Sequence, residues 1–589
     1  MKTWMGADTP MSAVITVTAA VAVALLAVLG VGSWYADDLD FLIHGTEGFS
    51  ARALLTPVND HVAPGLRFAY AVLAMGGLPS YGVTIVGRLI MWAMAVVLMA
   101  GLARRIVDRP WAGPVAAVLY GFSVLALPST ASLSSAVNNL PSHVLILVAL
   151  HATLDWFAGR RWWRLIVVAV ALVVAMAFWE LSALMVLTAA GLVMYRYGPA
   201  ALFRTRRGWV YIGVVAVAGL SFTALYLSAT ATTGGDWPGL SDLAGVVAHT
   251  FARIVLPAFV GGPWRWIAPP PQWLGLANPP WWVTLLGGAF AAVLCLAALR
   301  RRPSVAWLWA ALLLHTVMAS VVLAFGRFAG FGDLMTRHHH YWSALAVPFT
   351  LVVVASVAAA WPADHPRWAR RLVAGAAVVW TIGTVVSWAT FAVPWSHNPS
   401  GTYLATLRLE TAAPGVNLWD TRPPLDVMPY ISDHRSVVSL ARLMGNDPAS
   451  MVGTSDPVLA DDAGKLQLAG LRAWGTVKVP PDCEVNLRGE TSQRLRIAGS
   501  PPDGEWFIRI GYLATSDSTV DVHVDGAGPD GRPATIGTGG PRQWDGGVGR
   551  VNLRVDTVST PRTISITSST PNAQICIGDI TVGQPEPLR

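Results

Sequence analysis

Hydrophobic positions come in long unbroken blocks over the first two thirds of the chain and in short alternations over the last third. Met11 to Gly32 is a continuous apolar run, long enough to span a bilayer. Further apolar blocks follow at about 81–102, 111–129, 142–158, 164–179, 181–195, 209–229, 281–299, 305–325, 341–360 and 372–393. Together these blocks predict eleven membrane-spanning helices. The two short blocks that meet at Trp179-Glu180 are read as two helices rather than one. The first run exceeds a signal-peptide core and only Lys2 precedes it as a basic residue, so a retained helix is expected rather than a cleaved signal. Leu66 to Met75 is too short to span and reads as an interfacial helix, as does Leu240 to Phe259.

Past Val393 the pattern changes. Residues 398–589 are polar, rich in Gly, Pro, Asp, Thr and Ser, and hold no further span. Helix and strand signals mix as far as residue 475. Beyond that, Phe507-Ile508-Arg509-Ile510, Val520-Asp521-Val522-His523-Val524, Val551-Asn552-Leu553-Arg554-Val555, Ile564-Ser565-Ile566 and Ile575-Cys576-Ile577 alternate with the period of a strand. Turn residues separate these runs at the spacing of a β-sandwich. The predicted fold is a polytopic α-helical membrane protein carrying a C-terminal extracytoplasmic α/β plus β-sandwich domain. Its expected parts are a transmembrane domain over 1–395, a mixed connector over 396–475 and the sandwich over 476–589.

Charge orients these spans. Arginines cluster after every second block: Arg104, Arg105 and Arg109; Arg160, Arg161 and Arg164; Arg196, Arg204, Arg206 and Arg207; Arg300, Arg301 and Arg302; Arg367, Arg370 and Arg371. Basic loops face the cytoplasm. The N-terminus is therefore expected in the cytoplasm of a plasma-membrane protein. The first loop, the loop over 230–280, the segment near 337 and the polar C-terminal region are expected outside. Composition agrees: 54% of residues are hydrophobic and 13% charged, against about 25% charged in a soluble domain. The net charge of +7 sits at membrane boundaries and gives no reason to expect nucleic acid as a partner. Lysine occurs only at positions 2, 465 and 478, a bias that suggests a high-GC bacterium, plausibly an actinobacterium. Of three cysteines, Cys295 lies in an apolar block, while Cys483 and Cys576 bracket the expected outer sandwich, where oxidising conditions favour a disulfide between them.

Candidate chemistry gathers on the outer side. Ala36-Asp37-Asp38-Leu39-Asp40 places three carboxylates just past the first span, where a carboxylate at membrane depth marks a functional site. Asp37 and Asp38 are both candidate catalytic bases, able to take a proton from an acceptor hydroxyl; Asp40 reads as a helix-start or surface residue. Arg337-His338-His339-His340-Tyr341 supplies cations and donors suited to a lipid phosphate, and His61 is a further candidate for that role. Asn59, Asp60 and Glu180 are acceptor-binding or auxiliary candidates. Three consecutive histidines diverge on any backbone, so no metal is assigned, with a divalent cation kept as a minor alternative and no other cofactor expected. There is no Walker sequence and no dinucleotide fingerprint.

A first spanning helix followed by the outer pair Asp37-Asp38 resembles the GT-C superfamily of glycosyltransferases, which includes the protein O-mannosyltransferases, the lipid A aminoarabinose transferase and the mycobacterial arabinofuranosyltransferases. Arg337 to Tyr341 is similar to an Arg-Tyr-x-Tyr-like segment before a late helix in several members, although histidine stands here in place of tyrosine. The resemblance implies a polyprenyl-phosphate sugar donor, inverting transfer, a carboxylate base in the first loop, and a cell-envelope glycan as acceptor. It also implies a glycan-binding role for the outer β-rich tail, as in the actinobacterial arabinosyltransferases. Two rival readings remain: a transporter or flippase of lipid-linked sugars, and a non-catalytic glycan-binding envelope protein.

Overall fold

The computed structural model describes residues 11–57, 61–159, 161–229, 238–268, 275–360, 367–429, 432, 435–448, 456–480, 482–499, 506–527, 533–537, 541–555 and 560–588. The chain divides into two compact units, Met1–Asn398 and Pro399–Arg589.

The first unit is helical because its apolar blocks leave the backbone no partner but itself in hydrocarbon. Each of the expected blocks falls on a helix. Among the described residues, nine helices are long and apolar enough to cross a membrane, and Ala112–Gly121 and Trp163–Phe178 are shorter apolar helices. Three expectations change. The block at 111–129 is broken into Ala112–Gly121 and Leu127–Ala131, with Pro128 in the first turn of the second, where its missing N–H costs nothing. The block at 181–195 begins as a 3-10 turn, Glu180–Leu184, before the α-helix Met185–Tyr197. The stretch expected to be interfacial, Leu240–Ala258, meets the length and hydropathy of a span and carries a π-turn at Phe251–Val255, just ahead of Pro257.

Small residues let these helices approach closely. A Cβ on Gly287 would lie 2.0 Å from the Leu256 carbonyl oxygen, and one on Gly191 would lie 2.8 Å from the Trp307 carbonyl oxygen. A large buried core runs through the bundle, from Val14, Val21 and Leu25 on the first helix to Phe391 and Trp395 on the last, with smaller clusters around Leu172 and Phe222 and around Val246 and Met335. At one end, the short helix Asp38–Gly45 packs on Pro64–Ala74, and the 3-10 turn His339–Leu345 packs on Leu127–Ala131 and Leu133–Phe157.

Among the described residues, the second unit is built on an antiparallel sheet of eleven strands. The long last strand, Gln574–Pro587, lies between Leu466–Val477 and Trp506–Ala514, and Gly547–Val555 follows at that edge. Thr560–Ser568 lies between Ser518–Ala527 and Ser492–Ala498, and Thr476 and Val477 pair with Ala498 and Ile497 to join the two layers. Alternating residues from both layers, including Ile508, Ile510, Val522, Val524, Val551, Leu553, Ile564 and Ile566, enclose one core. The segment expected to be a separate connector contributes the strand Leu466–Val477 to this sheet. Cys483 and Cys576 are joined in a disulfide whose Cα atoms are 5.2 Å apart, and Cys295 is a free thiol.

The disulfide closes a loop of 93 residues, which restricts the unfolded chain by about 4–5 kcal/mol in the loop-entropy account. Reducing the purified chain should therefore speed amide hydrogen exchange along Asn486–Arg488 and Gln574–Pro587, the strands beside the bridge, while leaving Tyr81–Ile106 unchanged. Equal exchange in both redox states would show that the bridge contributes little.

Candidate active site

The first loop reaches its site through a forced reversal. Ala36 adopts a left-handed backbone with φ of 49°, which costs an alanine about 1–2 kcal/mol. The chain then turns through Asp37 into the helix Asp38–Gly45. This turn separates the two carboxylates.

Asp38 is fully buried and its oxygens are occupied. One accepts from the Ser134 amide at 2.7 Å and the Ser132 hydroxyl at 3.4 Å; the other accepts from the Tyr35 amide at 2.9 Å and the Leu133 amide at 3.4 Å. Ser132 to Ser134 form the corner at which the helix Leu133–Phe157 begins, so Asp38 satisfies amides that the helix itself leaves unpaired. Arg88 holds the other side of the corner, donating to the Ala131 carbonyl and, at 3.1 Å each, to the carbonyl and the hydroxyl of Thr84. Burial pushes the Asp38 carboxyl above its ordinary value; the amide bonds from Ser134 and Tyr35 and the charge of Arg88 pull less strongly the other way. Asp37 is only half-buried, and its charge acts on the phenols of Tyr70 and Tyr341. Asp40, expected at a helix start or the surface, stands in the first turn of that helix but is buried, 3.7 Å from His44 one turn on.

A second group joins three distant parts of the chain. His61 Nδ1 lies 2.6 Å from Glu180 Oε1, close in distance though outside hydrogen-bond alignment, and His61 Nε2 meets the guanidinium of Arg327. Glu180 opens the 3-10 turn between two short helices, and Arg327 stands near the end of the helix Ala306–Phe331. Burial pushes Glu180 up, but the charge and contact of His61 together with the charge of Arg327 outweigh it and hold the carboxyl below its ordinary value. Asn59 and Asp60 lie outside the described residues.

The late segment divides. Arg337 donates to Asn278 Oδ1 at 2.9 Å and to the Ala277 carbonyl at 3.4 Å, and the charges that act on it come from Arg253 and Asp333. The His339 ring meets Trp266 edge-on at 4.7 Å, and its amide donates to the Gly275 carbonyl. His338 is buried, which pushes its imidazole down to about 3, so the ring is neutral at physiological pH. The His338 ring packs against His340 at 4.1 Å and Tyr341 at 5.8 Å, and the rings of His340 and Tyr341 are 3.9 Å apart; His340 feels the charges of Arg327 and His61, and Tyr341 those of Arg327, Asp37 and Glu180. Asp37, His61, Glu180, Arg327, His340 and Tyr341 thus share one electrostatic neighbourhood, while Arg337 is bonded to Asn278 and the His339 ring packs on Trp266.

Arg327 is the residue that sequence reasoning missed. A signal was present: arginines cluster in loops expected to be cytoplasmic, so one at the outer end of the apolar block 305–325 is out of pattern. Asn139, on the helix that Asp38 caps, accepts from the Ser343 hydroxyl at 2.5 Å, tying the late segment to that helix. Among the described residues, no group of three His, Cys, Asp or Glu side chains is placed to hold a metal ion.

Two expected outcomes follow from this geometry. Asp38→Ala strands buried amides and should destabilise the bundle by at least about 1–3 kcal/mol, whereas Asp37→Ala should change thermal stability little; equal losses would contradict the division of roles. For Glu180, whose native value is lowered, the ionised form stabilises the fold above the unfolded value and that contribution is lost as pH falls through the native one. The stability gap between wild type and Glu180→Gln should stay constant above the ordinary value of 4.5 and close in stronger acid, as read by chemical denaturation across pH.

No protein-family model matches the chain, and no curated protein matches it in sequence. Among solved structures, it is similar to arabinosyltransferase EmbB from Mycobacterium smegmatis, at 13% identity and a TM-score of 0.33 over 97% of this chain and 64% of that one. It is also similar to a mutant of arabinofuranosyltransferase AftD from Mycobacteria, at 11% identity and a TM-score of 0.39 over 99% of this chain and 62% of that one. A third similar structure is apo ArnT from Cupriavidus metallidurans, at 16% identity and a TM-score of 0.39 over 72% of this chain and 84% of that one. The chain therefore spans less than two thirds of the length of the first two.

Proposed function

We propose that this protein is a membrane glycosyltransferase of GT-C type. It moves a sugar from a polyprenyl-phosphate donor to a cell-envelope glycan at the outer face of the plasma membrane, with Asp37 as the base. The observation that carries this reading is the inequality of the two adjacent carboxylates. Asp38 is buried and saturated with donors, whereas Asp37 is half-exposed beside Tyr341 in the neighbourhood of His61, Glu180 and Arg327. Sugar transfer from a lipid phosphate needs a carboxylate held apart from its structural twin, with cations available for the leaving phosphate.

In the reaction, Asp37 takes the proton of an acceptor hydroxyl as its oxygen attacks the anomeric carbon. The bond from that carbon to the donor phosphate breaks, its electron pair stays on the phosphate oxygen, and polyprenyl phosphate leaves. Attack opposite the leaving group inverts the anomeric centre. The remaining polar groups hold the reactants in line and counter the charge that grows on the phosphate. A lipid-carried donor fits a site on the outer side, which the arginine pattern supports, because nucleotide sugars are not normally supplied there. The β-rich unit, with its disulfide, is assigned to the same compartment and to binding the acceptor glycan.

The test is transfer from a panel of radiolabelled polyprenyl-phosphate sugars to envelope glycan acceptors. Asp37→Asn should fold and bind donor yet lose transfer by about 10²–10⁴-fold, the worth of a positioned base. Retained transfer by that variant would remove Asp37 from the role. Movement of the lipid-linked sugar across vesicles without any transfer would favour the transporter instead.

A further inference from the structure

The cations on the outer side are not equivalent. Arg337 lies in the segment that first suggests a phosphate site, yet its Nη1 donates to Asn278 and Ala277, and its charged neighbours are Arg253 and Asp333. Arg253 itself donates to Asp333 at 2.6 Å and to the Thr336 hydroxyl at 2.6 Å, and His249 lies 2.5 Å from the same carboxylate. Arg337 thus belongs to a network that ties the helices near 250 to the turn Gly332–Arg337.

Arg327 is held differently. Its guanidinium has only donors, so when the His61 ring is neutral the nitrogen it meets, Nε2, acts as the acceptor and the ring proton is carried on Nδ1, facing Glu180. Glu180 thereby favours the one tautomer of His61 that leaves Nε2 open to Arg327. The second oxygen of Glu180 is buried and makes no hydrogen bond. Tyr341 feels the charges of Arg327, Asp37 and Glu180.

We propose that Arg327, positioned by the relay from Glu180 through His61, is the cation that binds the phosphate of a polyprenyl-phosphate lipid, and that Glu180 and His61 are positioning residues for it. This rests on the glycosyltransferase reading and deepens it by assigning the leaving group its partner. The planar guanidinium suits a phosphate because two parallel N–H bonds can meet two phosphate oxygens. The relay helps to restrict the rotamers of a long side chain near the end of a spanning helix, which lowers the ordering cost on binding.

The experiment uses the full chain in nanodiscs and two probes, undecaprenyl phosphate and undecaprenol, whose difference is the phosphate alone. Wild type should bind the phosphate form at least about tenfold more tightly, the scale of one charge-assisted contact. Arg327→Met should abolish that preference without changing undecaprenol affinity, and Arg327→Lys should restore part of it. Glu180→Gln and His61→Phe should each lower the preference several-fold, and Arg337→Met should leave it intact. A purely structural role would weaken both probes equally. If wild type binds both probes alike, the donor class itself is wrong. If wild type discriminates but Arg327→Met discriminates equally well, the glycosyltransferase reading stands and this assignment is overturned.

Discussion

The helical unit depends on one corner. Where Leu127–Ala131 meets Leu133–Phe157, the backbone turns at Ser132 and leaves amides with no helical carbonyl to pair with. A helix N-terminus also carries partial positive charge, so the natural occupant is a carboxylate. Asp38 fills that place from the first loop, 96 residues earlier than Ser134, while Arg88 secures the carbonyl on the other side. Anchoring Asp38 fixes the first loop against the bundle, and with it the direction in which Asp37 points.

The same economy explains why neighbouring residues of one type do different work. Asp37 and Asp38 are adjacent, but the left-handed turn at Ala36 sends one into the corner and leaves the other half-exposed. Of the outer arginines, Arg337 is drawn into the network with Asn278, Arg253 and Asp333, while Arg327 meets His61. The histidine run splits likewise: His339 packs its ring on Trp266, and His340 pairs with Tyr341. A motif read as a unit along the chain is, in space, divided between separate sets of contacts.

The β-rich unit follows a simpler logic. Its inward positions alternate along each strand and enclose a single core, and the bridge from Cys483 to Cys576 fastens a turn to the last strand. Leu466–Val477 pairs with that same last strand, so the segment that reads as a mixed connector in sequence is in part sheet. Its signal was weak because a strand pairing far along the chain needs little local turn chemistry to announce it.

The sequence by itself determined where the helices and strands lie. Hydrocarbon and sheet cores impose periods that a composition of apolar blocks and alternations must obey, and these are local properties. It also singled out candidate residues, since arginines and carboxylates are expected to mark the membrane boundary wherever the chain crosses it. Even there it failed at Phe122–Ala126, where an apolar block long enough for one helix is broken ahead of Pro128. Tertiary structure alone decided which of Asp37 and Asp38 is anchored, and that Arg327 rather than Arg337 meets His61. Those choices rest on contacts between residues 96 and 266 positions apart, and no local pattern encodes which distant partner a side chain will find.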